Sequence, residues 1–224
     1  MGRAPRVDIG DEIYHVLNRA NGRAEIFNKD KDYEAFELIL KEAKERSLMK
    51  ILSYCLMPNH WHFILCPKND GDLNKFMQWL TLTHTQRWHE HYHLVGYGHL
   101  YQGRYKSFLI QRDEHFLQVA SYVERNALRT GLVKKAEDWR WSSLWRRECG
   151  TQKQKELLDP WPMPTPRNYL DYVNRSEPEK ELELIRESII KSRPFGRNDW
   201  VYKMVNRFGL EITTRRPGRP KNGT

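Results

Sequence analysis

Cysteine is scarce: Cys55, Cys66 and Cys149 are the three in a chain of 224 residues. An odd, sparse set excludes the disulfide framework on which small secreted domains depend. Long apolar runs are missing too, and none approaches the roughly 20 residues that span a bilayer. The opening residues, MGRAPRVDIGDE, lack the apolar stretch of a secretory signal. A cytoplasmic protein without a membrane partner is expected. Negative charge is the minority: 38 Lys and Arg face 29 Asp and Glu, for a net +9. Such a field attracts polyanions, although charge alone does not separate a nucleic-acid binder from a merely basic protein. Aromatics, by contrast, are plentiful, with 8 Trp and 11 Tyr, and base stacking is one use for them.

Ile13 to Asn18 reads as a strand and Asn21-Gly22 as a turn. Lys31 to Arg46 reads as a helix, because Phe36, Ile39, Leu40 and Ala43 recur at helical spacing. Strands follow at Lys50 to Leu56 and Trp61 to Cys66, broken by Pro58-Asn59 into a hairpin. Asp72 is placed to cap a helix from Leu73 to about Trp88 whose buried face is Leu73, Phe76, Met77 and Leu80. A Gly- and His-rich loop, HYHLVGYGHLYQGR, leads to a strand at Tyr105 to Ile110. Asp113 is placed to cap a last helix, running to about Arg129 and stopped by Gly131. Phe116, Val119, Ala120, Val123 and Ala127 form its apolar face. The order β-α-β-β-α-β-α makes the fold class α+β. Its first six elements are the ferredoxin-like (RRM-like) arrangement, an antiparallel sheet with helices on one face.

After Trp139-Arg140-Trp141 the texture changes. Residues 1–148 read as the main domain and 149–178, with Pro160, Pro162, Pro164, Pro166 and Pro178, as a linker with little regular structure. Residues 179–212 read as a helical extension, with helices from about Glu179 to Lys191 and from Asp199 to Phe208. Residues 213–224 read as a basic tail, disordered when free.

Two local patterns carry chemistry. In His60-Trp61-His62, strand geometry points residues i and i+2 to one face. The two imidazoles can then hold a divalent metal while Trp61 and Phe63 enter a core. Taken alone, an H-x-H pair is as readily a pair of surface or packed histidines. Zinc held with Cys55 and Cys66 is a further alternative, although C-x4-H-x-H-x3-C is not a usual zinc spacing and cysteines in apolar strands are commonly core residues. The second pattern is Tyr122 with Asn126, four apart on one helical face, with His115, Gln118, Arg125 and Arg129 on or near the same stripe. Standing alone, that stripe reads as a solvated face. His84, His89, His91, His93 and His99 read as a polar helix end and loop rather than a second metal site.

Four blocks occur in series: MPNHWHFIL, LYQGRYKS, SYVERNALRTGLV and DWRWSS. Together they resemble the REP-associated tyrosine transposases, relatives of the single-tyrosine (HUH) transposases of small bacterial insertion sequences. The likeness covers about residues 7 to 146. It implies that His60 and His62 bind a divalent ion, Mg²⁺ or Mn²⁺, that Asn126 completes the metal site, and that Tyr122 is the nucleophile. One departure is Ala127 to Arg129, ALR where the family has PVR. The resemblance further implies a DNA substrate, a REP-type hairpin with a single-stranded guide, cleaved and rejoined through a 5′-phosphotyrosine. No small-molecule substrate is implied, and both monomer and homodimer stay open.

Candidate DNA contacts are Arg19 and Arg23 near the first turn, and Gln102, Arg104, Tyr105 and Lys106, where cations, an aromatic and a glycine adjoin. Arg125 and Arg129 on the tyrosine helix join them. In the tail, Arg215, Arg216, Arg219 and Lys221 resemble an AT-hook, an Arg-rich segment suited to a narrow minor groove. Surface ion pairs and a generic basic tail are the alternatives. Competing functions are a non-catalytic DNA-binding regulator, a two-tyrosine replication initiator or relaxase, and a zinc protein unrelated to DNA. The helix that carries Tyr122 has no second tyrosine.

Overall fold

Strands that are apolar at nearly every position need cover on both faces, and the computed structural model, which describes residues 6–214, supplies it. Strands β1 (Ile13–Arg19), β2 (Met49–Met57), β3 (His60–Pro67) and β4 (Lys106–Ile110) form one sheet in the order β2-β3-β1-β4, every pair antiparallel. Helices α1 (Asp30–Arg46) and α2 (Asp72–His91) cover one face, packing around Tyr14, Val16, Tyr54, Leu56, Trp61 and Phe63. This is the ferredoxin-like arrangement expected of the first six elements. The seventh, α3 (Glu114–Glu124), covers the opposite face with Phe116, Val119, Ala120 and Val123 against Ile13, Cys55, Ile64 and Phe108. The site lies on that second face.

Three local details depart from expectation. Asp72 is the first residue of α2 rather than its cap, which is Gly71 at φ 81°. The open N–H groups of Leu73 and Asn74 are satisfied by the Asp8 carboxylate, at 3.1 and 2.8 Å. The tyrosine helix does not run unbroken to Arg129. Arg125, at φ −78° and ψ −4°, interrupts it, and a short α4 (Asn126–Arg129) follows. Gly131, at φ 75°, then ends the segment as expected, with Leu132 N donating to Ala127 O at 2.9 Å.

The third departure is the proline-rich stretch, which carries structure. After α5 (Ser143–Glu148) come α6 (Gln152–Lys155) and α7 (Tyr169–Asn174), and Leu157, Tyr169 and Val173 are buried. Prolines prevent long helices here but not docking. Asp159 bonds Ile51 twice, its N–H to the carbonyl and its carboxylate to the amide, each at 2.9 Å. Trp161 and Arg147 both donate to Leu52 O, at 2.8 and 2.6 Å. At the other side of the sheet, between α8 (Glu179–Lys191) and α9 (Asn198–Phe208), Phe195 forms a parallel bridge to Ile110 of β4. Both outer strands therefore have C-terminal backbone or side chains against their open edges.

Candidate active site

Register brings the site together. Across the second face, Lys106, Leu17, His62 and Cys55 lie in one row, and Arg19, His60 and Met57 in the next. The hairpin turn before His60 is fixed from outside: Pro58 O accepts from Ile26 N and Phe27 N, and Asn59 O from Ala20 N.

The rings of His60 and His62 lie 5.1 Å apart, centroid to centroid, at 76°. Trp61 points the other way and is fully buried, its indole N–H donating to Tyr101 Oη at 3.0 Å. His60 Nδ1 lies 2.6 Å from Asn59 Oδ1, and Asn59 Nδ2 donates to Arg23 O at 3.2 Å. The second bond orients the amide, so the first must run from His60 Nδ1–H to a carbonyl oxygen. The Nε2 lone pair of His60 is thereby left for a ligand. His62 Nδ1 lies 2.9 Å from Nε2 of His15, a residue of β1. Burial lowers the His60 imidazole to about 4, with Arg19 and Arg129 adding to the effect. Burial likewise lowers His62 well below its ordinary value, and neighbouring His15 and His60 push it the same way. Both rings are neutral at pH 7, the form that binds metal.

Tyr122, 8% exposed, stands edge-on to His62 with centroids 5.9 Å apart. Burial raises its phenol above the ordinary value, while the Arg129 cation opposes that rise. The Arg129 guanidinium lies 4.1 Å from the Tyr122 ring centroid and donates to Tyr122 O at 2.6 and 3.3 Å. Glu177 holds Arg129 at 3.1 Å and Arg125 at 3.5 Å, and Arg125 also donates to Val173 O. Asn126, one residue past the helix break, has a buried Nδ2 with no hydrogen-bond partner among the described residues. Amide O and N exchange by a simple flip, so the buried, unpaired position suits a carboxamide oxygen facing a cation. Two neutral imidazoles and that amide make a donor set that fits a divalent metal.

Behind the site, Glu124 is fully buried and accepts from Ser53, Ser143 and Tyr169. Burial raises its carboxyl above the ordinary value, while Arg147 and the three hydroxyl donors oppose the rise.

The candidate DNA residues divide. Arg19, Arg23, Gln102, Arg104 and Lys106 are exposed, and Gln102 N donates to Arg19 O, which seats the QGR loop at the end of β1. Tyr105 is buried, its hydroxyl on Asn74 Oδ1 at 2.7 Å and its ring under Arg6, so it offers no stacking face. Arg125 and Arg129 serve Tyr122 and Glu177 instead of the surface. Arg215, Arg216, Arg219 and Lys221 lie outside the described residues.

The alternative metal readings find little support. Burial pushes the Cys55 thiol up to about 12, and it donates to Met57 Sδ rather than standing ready as a thiolate. Asp113, Glu114 and His115 lie close together. There the Asp113 carboxylate accepts from both His115 N and His115 Nδ1, the ordinary work of a helix cap. His84 is buried, its Nδ1 hydrogen-bonded to Tyr101 Oη at 2.6 Å. His15, Asn59, Glu124 and Glu177 were not singled out by sequence. Asn59 and Glu124 lie within quoted motif blocks; His15 and Glu177 come to the site through register and tertiary packing.

Residues 10–126 match the family described as Transposase IS200 like. That is more than half of the chain, which therefore belongs to this family of transposases. The fold is similar to that of a REP-associated tyrosine transposase solved bound to a REP hairpin. That likeness has a TM-score of 0.56 at 18% identity and covers 74% of this chain and 93% of the other. A protein of Deinococcus radiodurans R1 described as a transposase aligns with a TM-score of 0.39 at 19% identity, over 55% of this chain and 95% of that one. No curated protein matches the chain. Among the described residues no helix is long and apolar enough to cross a membrane.

Proposed function

We propose that this transposase nicks and rejoins single-stranded DNA beside a hairpin, with Tyr122 as nucleophile and its own His60 and His62 as metal ligands. The observation that carries the reading is Tyr122 packed against His62 of the same chain, with the unpaired Asn126 amide one turn away. The hairpin element follows the fold's likeness to a transposase solved with one.

Tyr122 Oη attacks the scissile phosphorus in line. The P–Oη bond forms as the phenolic proton is lost to solvent, the bond to the 3′ oxygen breaks, and that oxygen takes up a proton and leaves as a hydroxyl. The phosphotyrosine conserves the bond, so rejoining by a 3′-hydroxyl needs no nucleotide cofactor. Arg129 holds the ring from behind and favours the phenolate by its charge. His60, His62 and Asn126 would hold Mg²⁺ or Mn²⁺, which when bound polarises the phosphate and neutralises developing charge. Arg19, Arg23, Arg104 and Lys106, with Gln102 beside them, form a cationic rim for the strand.

End-labelled hairpin DNA with a single-stranded flank, incubated with Mg²⁺ or Mn²⁺, tests the reading. Wild type is expected to give metal-dependent nicking and a covalent adduct, and Tyr122→Phe neither, with DNA binding spared. Cleavage by purified Tyr122→Phe would sink the nucleophile. Tight binding without an adduct, across several hairpins and both metals, would instead support a non-catalytic regulator.

A further inference from the structure

We infer that His15 is a positioning residue of the metal site, accepting the Nδ1 proton of His62 on its own Nε2 and so freeing His62 Nε2 to bind a divalent cation. The inference rests on the proposed reading of His60 and His62 as ligands.

The geometry is that of a shared proton. His15 Nε2 and His62 Nδ1 are 2.9 Å apart, and the two residues are 1% and 3% exposed. The pairing is diagonal across the strands, since Leu17 faces His62 and His15 faces Ile64. Phe108 packs on the other side of the His15 ring, with centroids 4.8 Å apart. Two arrangements satisfy this hydrogen bond when both rings are neutral. If His15 donates, His62 carries its proton on Nε2, and that nitrogen has no lone pair to offer. If His62 donates, Nε2 is a ligand.

The contrast with His60 is informative. Its partner, the Asn59 carbonyl oxygen, can only accept, so His60 is fixed in the ligating tautomer. His62 has a partner able to play either part. Metal binding at His62 thereby requires the proton between the two buried rings to sit on His62 Nδ1, with His15 in its Nδ1–H tautomer so that its Nε2 accepts the hydrogen bond. A core position that asked only for volume would be filled at lower cost by Phe or Leu. Metal-ligating histidines are commonly oriented in this way through their second nitrogen, and loss of such a partner costs about 10–100-fold in metal affinity.

The test measures Mn²⁺ binding to the full chain by calorimetry, without DNA, for wild type, His15→Phe and His15→Gln. His15→Phe is expected to weaken Mn²⁺ binding about 10–100-fold. His15→Gln, whose Oε1 can accept from His62 Nδ1, is expected to recover most of it. In ¹⁵N-histidine spectra of wild type loaded with Zn²⁺ as a diamagnetic probe, the proton between the rings should reside on His62 Nδ1. Equal Mn²⁺ binding by wild type and a folded His15→Phe would overturn the inference alone. So would equal losses in the two variants, which would mark a packing role, or a proton found on His15 Nε2 in the loaded protein, a result that needs no variant to fold. Wild type that binds no Mn²⁺ at all would overturn the ligand reading and this inference with it.

Discussion

His15, His60 and His84 occupy surroundings that disfavour a charged ring, and burial brings their folded values to about 3, 4 and 3, against an ordinary 6.5. Unfolding returns them to that ordinary value. Below it the unfolded chain takes up protons that the folded chain refuses, so stability is complete above about pH 6.5 and declines as pH falls toward about 3. The thermal midpoint should therefore be flat from pH 8 to pH 7 and drop below pH 6.5. His84→Gln, which keeps an acceptor for Tyr101, should remove part of the slope. An equally steep drop in that variant would show that His84 does not contribute. Arg129 makes a second case at this scale. A cation over an aromatic face contributes about 0.5–2 kcal/mol, so Arg129→Ala should slow adduct formation by roughly 2- to 30-fold while leaving hairpin affinity intact. A binding defect as large as the rate defect would place Arg129 on the DNA instead. The residue patterns that depend only on local geometry were legible: i and i+2 on a strand gave His60 and His62 one face, and their rings do adjoin. His15 was not legible, because its partner is set by the register of β1 on β3, a long-range property.

At the level of elements, the break between α3 and α4 separates what sequence periodicity joined. Helical spacing predicts one face for Tyr122 and Asn126, and periodicity does not reveal the break at Arg125 that falls between them. What stabilises the segment comes from elsewhere in the chain: Glu177 and Val173 on the arginine side, and Ser53, Ser143 and Tyr169 on the Glu124 side. Ser53 reaches Glu124 because it shares a face of β2 with Cys55 and Met57, the face that α3 covers. Removing the carboxylate strands the buried Tyr169 hydroxyl, at a cost of about 1–3 kcal/mol, while Ser53 and Ser143 keep each other and Tyr54 O as partners. Glu124→Ala should lower unfolding free energy by about 1–3 kcal/mol in urea titrations, and an unchanged value would mean that the Tyr169–Glu124 bond does not matter. Gly131→Ala, forced to φ 75°, should cost about 1–2 kcal/mol in the same assay.

For the molecule as a whole, the β-α-β-β-α-β-α order was readable because each element carries its own period and its own turn residues. The docking of residues 150–178 was not, since prolines signal loops and say nothing about where a loop lies. Residues 215–224 lie beyond the described structure, and their basic sequence makes a test at this scale. Removing them should weaken hairpin binding more at low salt than at high, as expected for phosphate contacts that release counterions. An anisotropy series with unchanged affinity at every salt concentration would dismiss the tail as a clamp.

The contacts of Asp159 and Trp161 on β2, and of Phe195 on β4, bear on how this chain would behave if shortened. Strand edges with open amides recruit other chains. A protein ending near residue 148 would keep His60, His62, Tyr122 and Asn126, and on β2 the contacts of Trp141, Ser143 and Arg147, yet lose Asp159 and Trp161 there and Phe195 on β4, and expose an apolar surface that Tyr169, Leu182 and Ile185 now cover. Self-association and precipitation, not loss of His60, His62 or Tyr122, would then be the first symptom of truncation, so that residues 149–214 act as the sheet's own chaperone.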